Sequence, residues 1–188
     1  MRLFKFIAAL LIGTAAVSSA TALADTGKTL VVYYSATSNT QKIAEIIAKE
    51  LNADLFKIEV EKEYSKEDLN YNNPESRVSK EHADEAVKAE IKLKKYTPDN
   101  FSEYENVFIG YPIWWGNAAF PVEIFVKNIK LDNKKIYPFC TSFMSPLDQS
   151  DINLRKLSNN GYWLPGHRFS TESTEKEVKD WLSDLKIK

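Results

Sequence analysis

Residues 29–43 constrain this chain more than any other stretch, because two kinds of backbone must meet inside it. Thr29-Leu30-Val31-Val32-Tyr33-Tyr34 is an apolar, β-branched and aromatic run, the composition of a strand covered on both faces. Residues 35–40 are hydroxyl, amide or small residues, and beyond them Ile43, Ile46, Ile47 and Leu51 recur at i, i+3, i+4 and i+8, which is helical spacing. Ser38, followed three residues later by Gln41, has the form of a capping box and predicts where the helix begins. A buried strand that turns sharply into a helix leaves backbone N–H groups without partners at the positive end of the helix dipole. Together with the hydroxyls of Ser35, Thr37, Ser38 and Thr40, these form an anion site. No Lys or Arg precedes Lys42 in the loop, so neutral donors would hold any phosphate, an arrangement suited to a monoester at one end of a larger ligand. Neither G-x-G-x-x-G nor G-x-x-x-x-G-K-[ST] occurs, which removes the main support for a dinucleotide or a nucleoside triphosphate. The plainer alternative is that the hydroxyls only cap a helix.

Further along, residues 54–60 alternate apolar with polar, as a half-exposed strand does. From 61 to 104 the chain turns polar and charged; residues 81–95 read as a helix with Ala83, Ala86 and Val87 on a weak apolar face, within a long surface excursion. Asn106-Val107-Phe108-Ile109-Gly110 is a third strand, buried like the first. It leads into Tyr111-Pro112-Ile113-Trp114-Trp115-Gly116-Asn117, where Pro112 and Gly116 predict a loop carrying two tryptophans. Adjacent side chains tend to point apart, so at least one indole of the pair is expected at the surface, offered to a flat ligand. Pro121 opens a helix at its first turn. The fourth strand, residues 135–141, ends in Ser142-Phe143-Met144-Ser145-Pro146, and a helix with Ile152, Leu154 and Leu157 follows. Residues 161–169 have room for one brief strand. In the last helix, Thr174 and Glu177 make a second capping box ahead of Val178, Trp181, Leu182 and Leu185.

The first 24 residues stand apart from this pattern. Arg2 and Lys5 precede an apolar run over 6–17, and Ala22-Leu23-Ala24 offers a small-x-small cleavage site before Asp25. This predicts a Sec-type signal peptide over 1–24, a mature domain over 25–188, and a protein exported to the periplasm or beyond without stable membrane insertion once the signal is cleaved. Loss of the leader takes two of the 25 basic residues and none of the 26 acidic ones, leaving a net charge of −3. Such a balance provides no basic field for nucleic acid. Cys140 is the only cysteine, so an intramolecular disulfide is excluded, and its apolar neighbours mark it as a buried hydrophobe.

Strands alternating with helices throughout predict an α/β fold: a three-layer, doubly wound, parallel five-stranded sheet. Ligands of such sheets bind beyond the strand C-termini, where strand order reverses. The loops after the first, third and fourth strands meet there, bringing a hydroxyl cradle, an aromatic wall and a second polar loop to one edge. That is a site for a phosphorylated flat ring, and flavin mononucleotide (FMN) fits the description.

Ser35-x-Thr37-x-Asn39-Thr40 after the first strand and Gly110-Tyr-Pro-Ile-Trp-Trp-Gly116 after the third resemble the flavodoxin-like flavoproteins. Asp68-Leu-Asn-Tyr71 with Ser76-Arg77, Pro138-Phe-Cys-Thr-Ser142 and Arg168-Phe169 further resemble their single-domain bacterial branch, and the likeness runs from Thr29 to the C-terminus. The resemblance implies that Ser35, Thr37, Ser38, Asn39 and Thr40 hold the FMN phosphate. It places Pro112, Ile113, Trp114, Trp115, Gly116 and Asn117 beside the isoalloxazine ring, and Thr141, Ser142, Phe143 and Met144 at its other edge and the ribityl chain. Two positions depart from the family pattern: Ser38 stands where glycine is usual, and 143–146 replaces a commonly glycine-rich loop with bulkier residues.

The function expected is an exported FMN protein that transfers electrons to a redox partner protein or reduces a small acceptor such as a quinone. No general acid or base is evident, and a phosphate held without cations disfavours a fully reduced, anionic ring. His82, inside a charged segment, is expected to face solvent. The rival readings are a non-catalytic flavin-binding scavenger and an NAD(P)H-dependent quinone reductase.

Overall fold

The computed structural model describes residues 27–158 and 160–187; the signal peptide read over 1–24 lies outside them. Strand β1 (Thr29–Tyr33) alternates its side chains between two cores. Val31 and Tyr33 face a layer built by α1 (Asn39–Leu51) and α6 (Glu175–Asp184) through Ile43, Ala44, Ile47, Val178, Trp181 and Leu182. Leu30 and Val32 face the opposite layer, with Phe125 and Val126 of α4 (Phe120–Asn128) and Leu154 of α5 (Asp148–Ser158). Two apolar faces on a strand this short explain the unbroken hydrophobic run in its sequence.

The sheet order is β2 (Asp54–Lys57), β1, β3 (Asn106–Trp114), β5 (Lys135–Thr141), then a fifth position shared by β6 (Tyr162–Trp163) and β7 (His167–Phe169). Both β6 and β7 pair with β5 in parallel. Pro165, which has no N–H to donate, lies between them and divides what the sequence reads as one strand. The five strand positions and the helices on both faces form the doubly wound α/β sandwich that the alternation predicts. Within it, Gly110 of β3 lies under the Phe139 ring: a Cβ there would sit 2.1 Å from the ring edge, so glycine is what lets β3 and β5 pack their central residues.

Four local readings are corrected by the structure. The strand read over 54–60 pairs with β1 over Asp54–Lys57, and Ile58 N–H adds a last bond to Tyr33 C=O. Beyond it the chain joins the returning excursion, with Val60 bridging Leu93 antiparallel and Glu61 N–H donating to Lys92 O. The helix read over 81–95 is instead two short helices, α2 (Arg77–Ala83) and α3 (Glu85–Ala89), because Asp84 is extended and caps α3 by accepting from Ala86 N–H. The capping box read at Ser38 does not form: Ser38 makes no side-chain cap, and Gln41 donates to Glu45 instead.

The fourth correction concerns the Trp-Trp loop, which is largely strand. Gly110 C=O accepts from Tyr34 N–H, so alternate residues of β3 turn their backbone groups toward β1. Pro112, two residues on, turns the same way, but beyond the end of β1, where no neighbouring strand needs its missing N–H. Its C=O accepts from Ala119 N–H as the chain doubles back into β4 (Asn117–Ala118), pairing Trp114 with Asn117 and Ile113 with Ala118. Only Trp115 and Gly116 form the turn, at φ +46° and +74°. Two consecutive left-handed residues make the primed hairpin turn that matches strand twist. Glycine takes this conformation freely; for Trp115 it is strained.

Candidate functional site

The strand order reverses at β1 and β3, and a cleft of about 490 Å³ opens beyond their C-terminal ends. Its volume lies in the range of small-molecule sites. Ala36 and Thr37 of the first loop form one wall; Pro112, Ile113, Trp114 and Trp115 form a second. Leu69, Tyr71 and Val78 enter from the excursion, and Ser145 from the loop after β5. None of these side chains is charged, so recognition here rests on apolar contact and neutral hydrogen bonds.

The first loop is open to a ligand. Ser38 stands at the α1 N-cap with φ +64°, the left-handed conformation that glycine adopts most freely. Lys42 N–H makes the first helical bond, to Ser38 C=O. The N–H groups of Asn39, Thr40 and Gln41, one turn earlier, have no acceptor among the described residues, and the helix they head is 13 residues long. Asn39 donates its amide to Thr37 Oγ1 at 3.3 Å, and Thr37, Ser38 and Asn39 are exposed. Thr40 differs: its side chain turns inward, 2.7 Å from Thr141 Oγ1, and both residues are buried. Ser35 is half-buried at the end of β1.

The two tryptophans diverge as adjacent side chains should. Trp114 is half-buried, its ring edge-on to Phe120 at 5.3 Å, Tyr64 at 5.4 Å and Tyr34 at 5.9 Å. Trp115 is 39 % exposed and lies flat against the His82 ring at 4.4 Å. His82 is exposed, as expected, and its ring is stacked on that of Trp115. Asn117, one residue past the turn, accepts from the Asn153 amide and so ties the hairpin to α5.

The excursion contributes more than sequence reasoning assigned to it. Its buried hub is Glu81, which accepts from Tyr64 Oη at 2.6 Å and from Arg77 Nε at 2.7 Å, while the Arg77 guanidinium lies 3.9 Å above the Tyr64 ring and reaches Lys62 C=O. Ser65 and Asp68 exchange backbone-to-side-chain bonds, and Ser65 N–H holds the Asp68 carboxyl below its ordinary range. Leu69 and Tyr71 follow directly. Their sequence signal was the Asp68-to-Tyr71 match; which way they faced depended on tertiary bonds that no local pattern encodes.

After β5, Ser142 is fixed by three bonds: its hydroxyl donates to Ser145 C=O, its N–H to Phe169 C=O, and its own C=O accepts from Arg168. The tight turn this makes directs Ser145 into the cleft and leaves Phe143 and Met144 projecting outward, 77 % and 79 % exposed. Of the four residues expected from this strand and loop, Thr141 is tied to the first loop and Ser142 shapes the turn, while Phe143 and Met144 stand clear of the cleft wall.

Two groups lie away from the chemistry. Cys140 is fully buried, and burial pushes its thiol up to about 12. His167 packs on Phe169 and Trp181 in the α1–α6 layer, where burial, with Arg168 beside it, lowers its pKa below the ordinary value.

Residues 28–185 match the family model described as flavodoxin. Among solved structures, a candidate flavoprotein from Bacteroides eggerthii is 33 % identical, with 86 % of this chain and 99 % of that one covered at a TM-score of 0.77. A second, from Bacteroides uniformis, is 29 % identical over 84 % and 98 % of the two chains, also at 0.77. A flavoprotein from Lactobacillus acidophilus, solved in complex with FMN, shares the fold at 22 % identity, with 83 % and 99 % covered and a TM-score of 0.58. No curated protein matches the chain.

Proposed function

The chain belongs to the flavodoxin family, and from that premise we propose that it binds FMN and carries electrons to a redox partner or small acceptor outside the cytoplasmic membrane. One observation carries the reading: Ala36 and Thr37, on the loop that leads into the open N–H groups at the head of α1, border a single cleft at the β1–β3 reversal together with the Trp114–Trp115 wall. Export rests on the leader-like sequence over 1–24 alone. Among the described residues no helix is long and apolar enough to cross a membrane.

The residues present fit FMN. The backbone N–H groups of Asn39 to Gln41, with the Thr37 and Ser38 hydroxyls, would take the phosphate at a helix N-terminus, where an anion is favoured without any cation. The apolar wall from Pro112 to Trp115, with Tyr71 and Leu69 also lining the cleft, would orient the ring and exclude water from it. Ser145 would supply a hydroxyl at the remaining edge. When bound, the flavin supplies one- and two-electron chemistry; the protein sets access and potential around it.

The test is a visible absorption titration of the chain with FMN and, separately, with riboflavin. A bound, perturbed flavin spectrum that bleaches on chemical reduction, with FMN held tighter than riboflavin, is the expected result. Absence of binding at micromolar FMN would overturn the reading. Fractionation of the producing cell tests export, and a cytoplasmic full-length product would remove that part alone.

A further inference from the structure

Trp114 lines the cleft, and its ring packs against aromatic rings of the interior. Two tyrosines stand behind it, Tyr64 with its ring centre at 5.4 Å and Tyr34 at 5.9 Å. Both are near enough to exchange an electron with the indole, and their surroundings distinguish them. A phenol that loses an electron becomes a very strong acid, so it is an effective electron donor only where a base waits on its hydroxyl. Tyr64 has that base, because its Oη donates to Glu81 Oε2 at 2.6 Å. No carboxylate is bonded to the Tyr34 hydroxyl among the described residues.

Arg77 sharpens the difference. Its guanidinium lies 3.9 Å over the Tyr64 ring and disfavours a positive charge there, so electron loss must be accompanied by proton loss. The same residue holds Glu81 Oε1 at 2.7 Å, which leaves Oε2 turned to the phenol. Glu81 is 3 % exposed, so a proton placed on it stays beside the oxygen it left.

We propose that Tyr64 and Glu81 form a proton-coupled electron donor that repairs Trp114 when a one-electron radical oxidant in the cleft oxidises it. The oxidant gains one electron from the indole. Tyr64 returns one electron to Trp114, its O–H bond breaks, and an O–H bond forms at Glu81 Oε2. The indole ends reduced and neutral, and the unpaired electron rests on a neutral Tyr64 phenoxyl group. The pair thus protects the cleft wall from irreversible oxidation. This depends only on the chain's own residues, not on the flavin reading.

Pulse radiolysis of the full chain without flavin tests it, with azide radical as the oxidant and the tryptophan and tyrosyl radical absorptions followed in time. The chain holds 4 tryptophans and 9 tyrosines, so the reading is the difference between variants. Trp114→Phe and Tyr64→Phe are each expected to remove the same phase of tryptophan-to-tyrosyl conversion, and Tyr34→Phe to retain it. Glu81→Gln should slow that phase on the order of a hundredfold, the low end of what a positioned proton acceptor contributes. An unchanged phase in Tyr64→Phe, or its loss in Tyr34→Phe, overturns the proposal. If Tyr64→Phe does not fold, Glu81→Gln decides: a rate equal to wild type overturns the proposal as well.

Discussion

The hydroxyl oxygens of Thr40 and Thr141 lie 2.7 Å apart in the interior, joining the first turn of α1 to the last residue of β5 across 101 positions of sequence. Two loops that border one cleft are thereby held in fixed relation, through residues that are 1 % and 4 % exposed. Neither hydroxyl is free for solvent, so removing one leaves the other buried with its partner gone.

Thr40→Val and Thr141→Val should each cost about 1–3 kcal/mol, since each strands a buried hydroxyl. The double variant should cost less than the two together, because it strands neither. Urea unfolding of the three variants measures this. Strict additivity would mean that the two groups do not interact.

Thr37→Ala leaves the interior untouched, because Thr37 is exposed and bonds only to Asn39 within its own loop. FMN affinity should fall by about fivefold to tenfold, matching a neutral hydrogen bond of about 1 kcal/mol, while riboflavin affinity stays the same. Equal losses for both ligands would place the phosphate elsewhere.

The tryptophans should separate stability from binding. Trp114→Ala removes the ring that Tyr34, Tyr64 and Phe120 pack against and should destabilise the fold by about 3 kcal/mol. Trp115→Gly relieves a left-handed φ at an exposed position, so stability should change by less than about 1 kcal/mol while flavin affinity drops. Thermal unfolding beside a flavin titration reads both effects, and a Trp115→Gly protein that bound FMN as tightly as wild type would remove that ring from the site.

Ser38→Val puts a β-branched side chain at φ +64° and should cost on the order of 1–3 kcal/mol, whereas Ser38→Gly should be accepted without loss of FMN binding. Comparable melting temperatures for the two variants would show that the loop relaxes out of its left-handed turn.

His167 carries a pH signature. Its folded pKa is depressed, so the unfolded chain binds the proton more readily as pH falls from about 7.5 toward 5.5. Stability should therefore decline over that window, and His167→Gln should show a shallower decline. Urea midpoints at the two ends provide the comparison, and identical slopes in both proteins would exclude the histidine as the cause.

Much of this was legible in the chain itself. β1 and β5 carry unbroken apolar runs because both faces are covered, and α6 announces its start with Thr174 and Glu177, whose capping box forms in full. What misled was local chemistry with more than one outcome. Ser38 and Gln41 have the spacing of a cap, yet the turn from β1 forces Ser38 into a conformation from which its side chain makes none. Pro112 reads as a strand breaker, but it falls on the part of β3 that runs beyond the end of β1. Tyr71 and Leu69 were hidden because the excursion's shape is set by Arg77, Glu81 and Tyr64 meeting across it. Ser145 faces the cleft only because Ser142 is held on three sides.

The bridge between Val60 and Leu93 brings the excursion back to the point where it left. To the sheet, the whole insertion therefore spans almost no distance. The entropy of closing such a segment grows slowly with its length, by about 0.6 kcal/mol for each doubling. A change in the length of its exposed parts therefore adds little closure entropy, and Leu69, Tyr71 and Val78 belong to the segment and face the cleft. The fold thus divides the cleft between two kinds of support: one wall rides on an insertion closed upon itself, while the others are carried by the sheet.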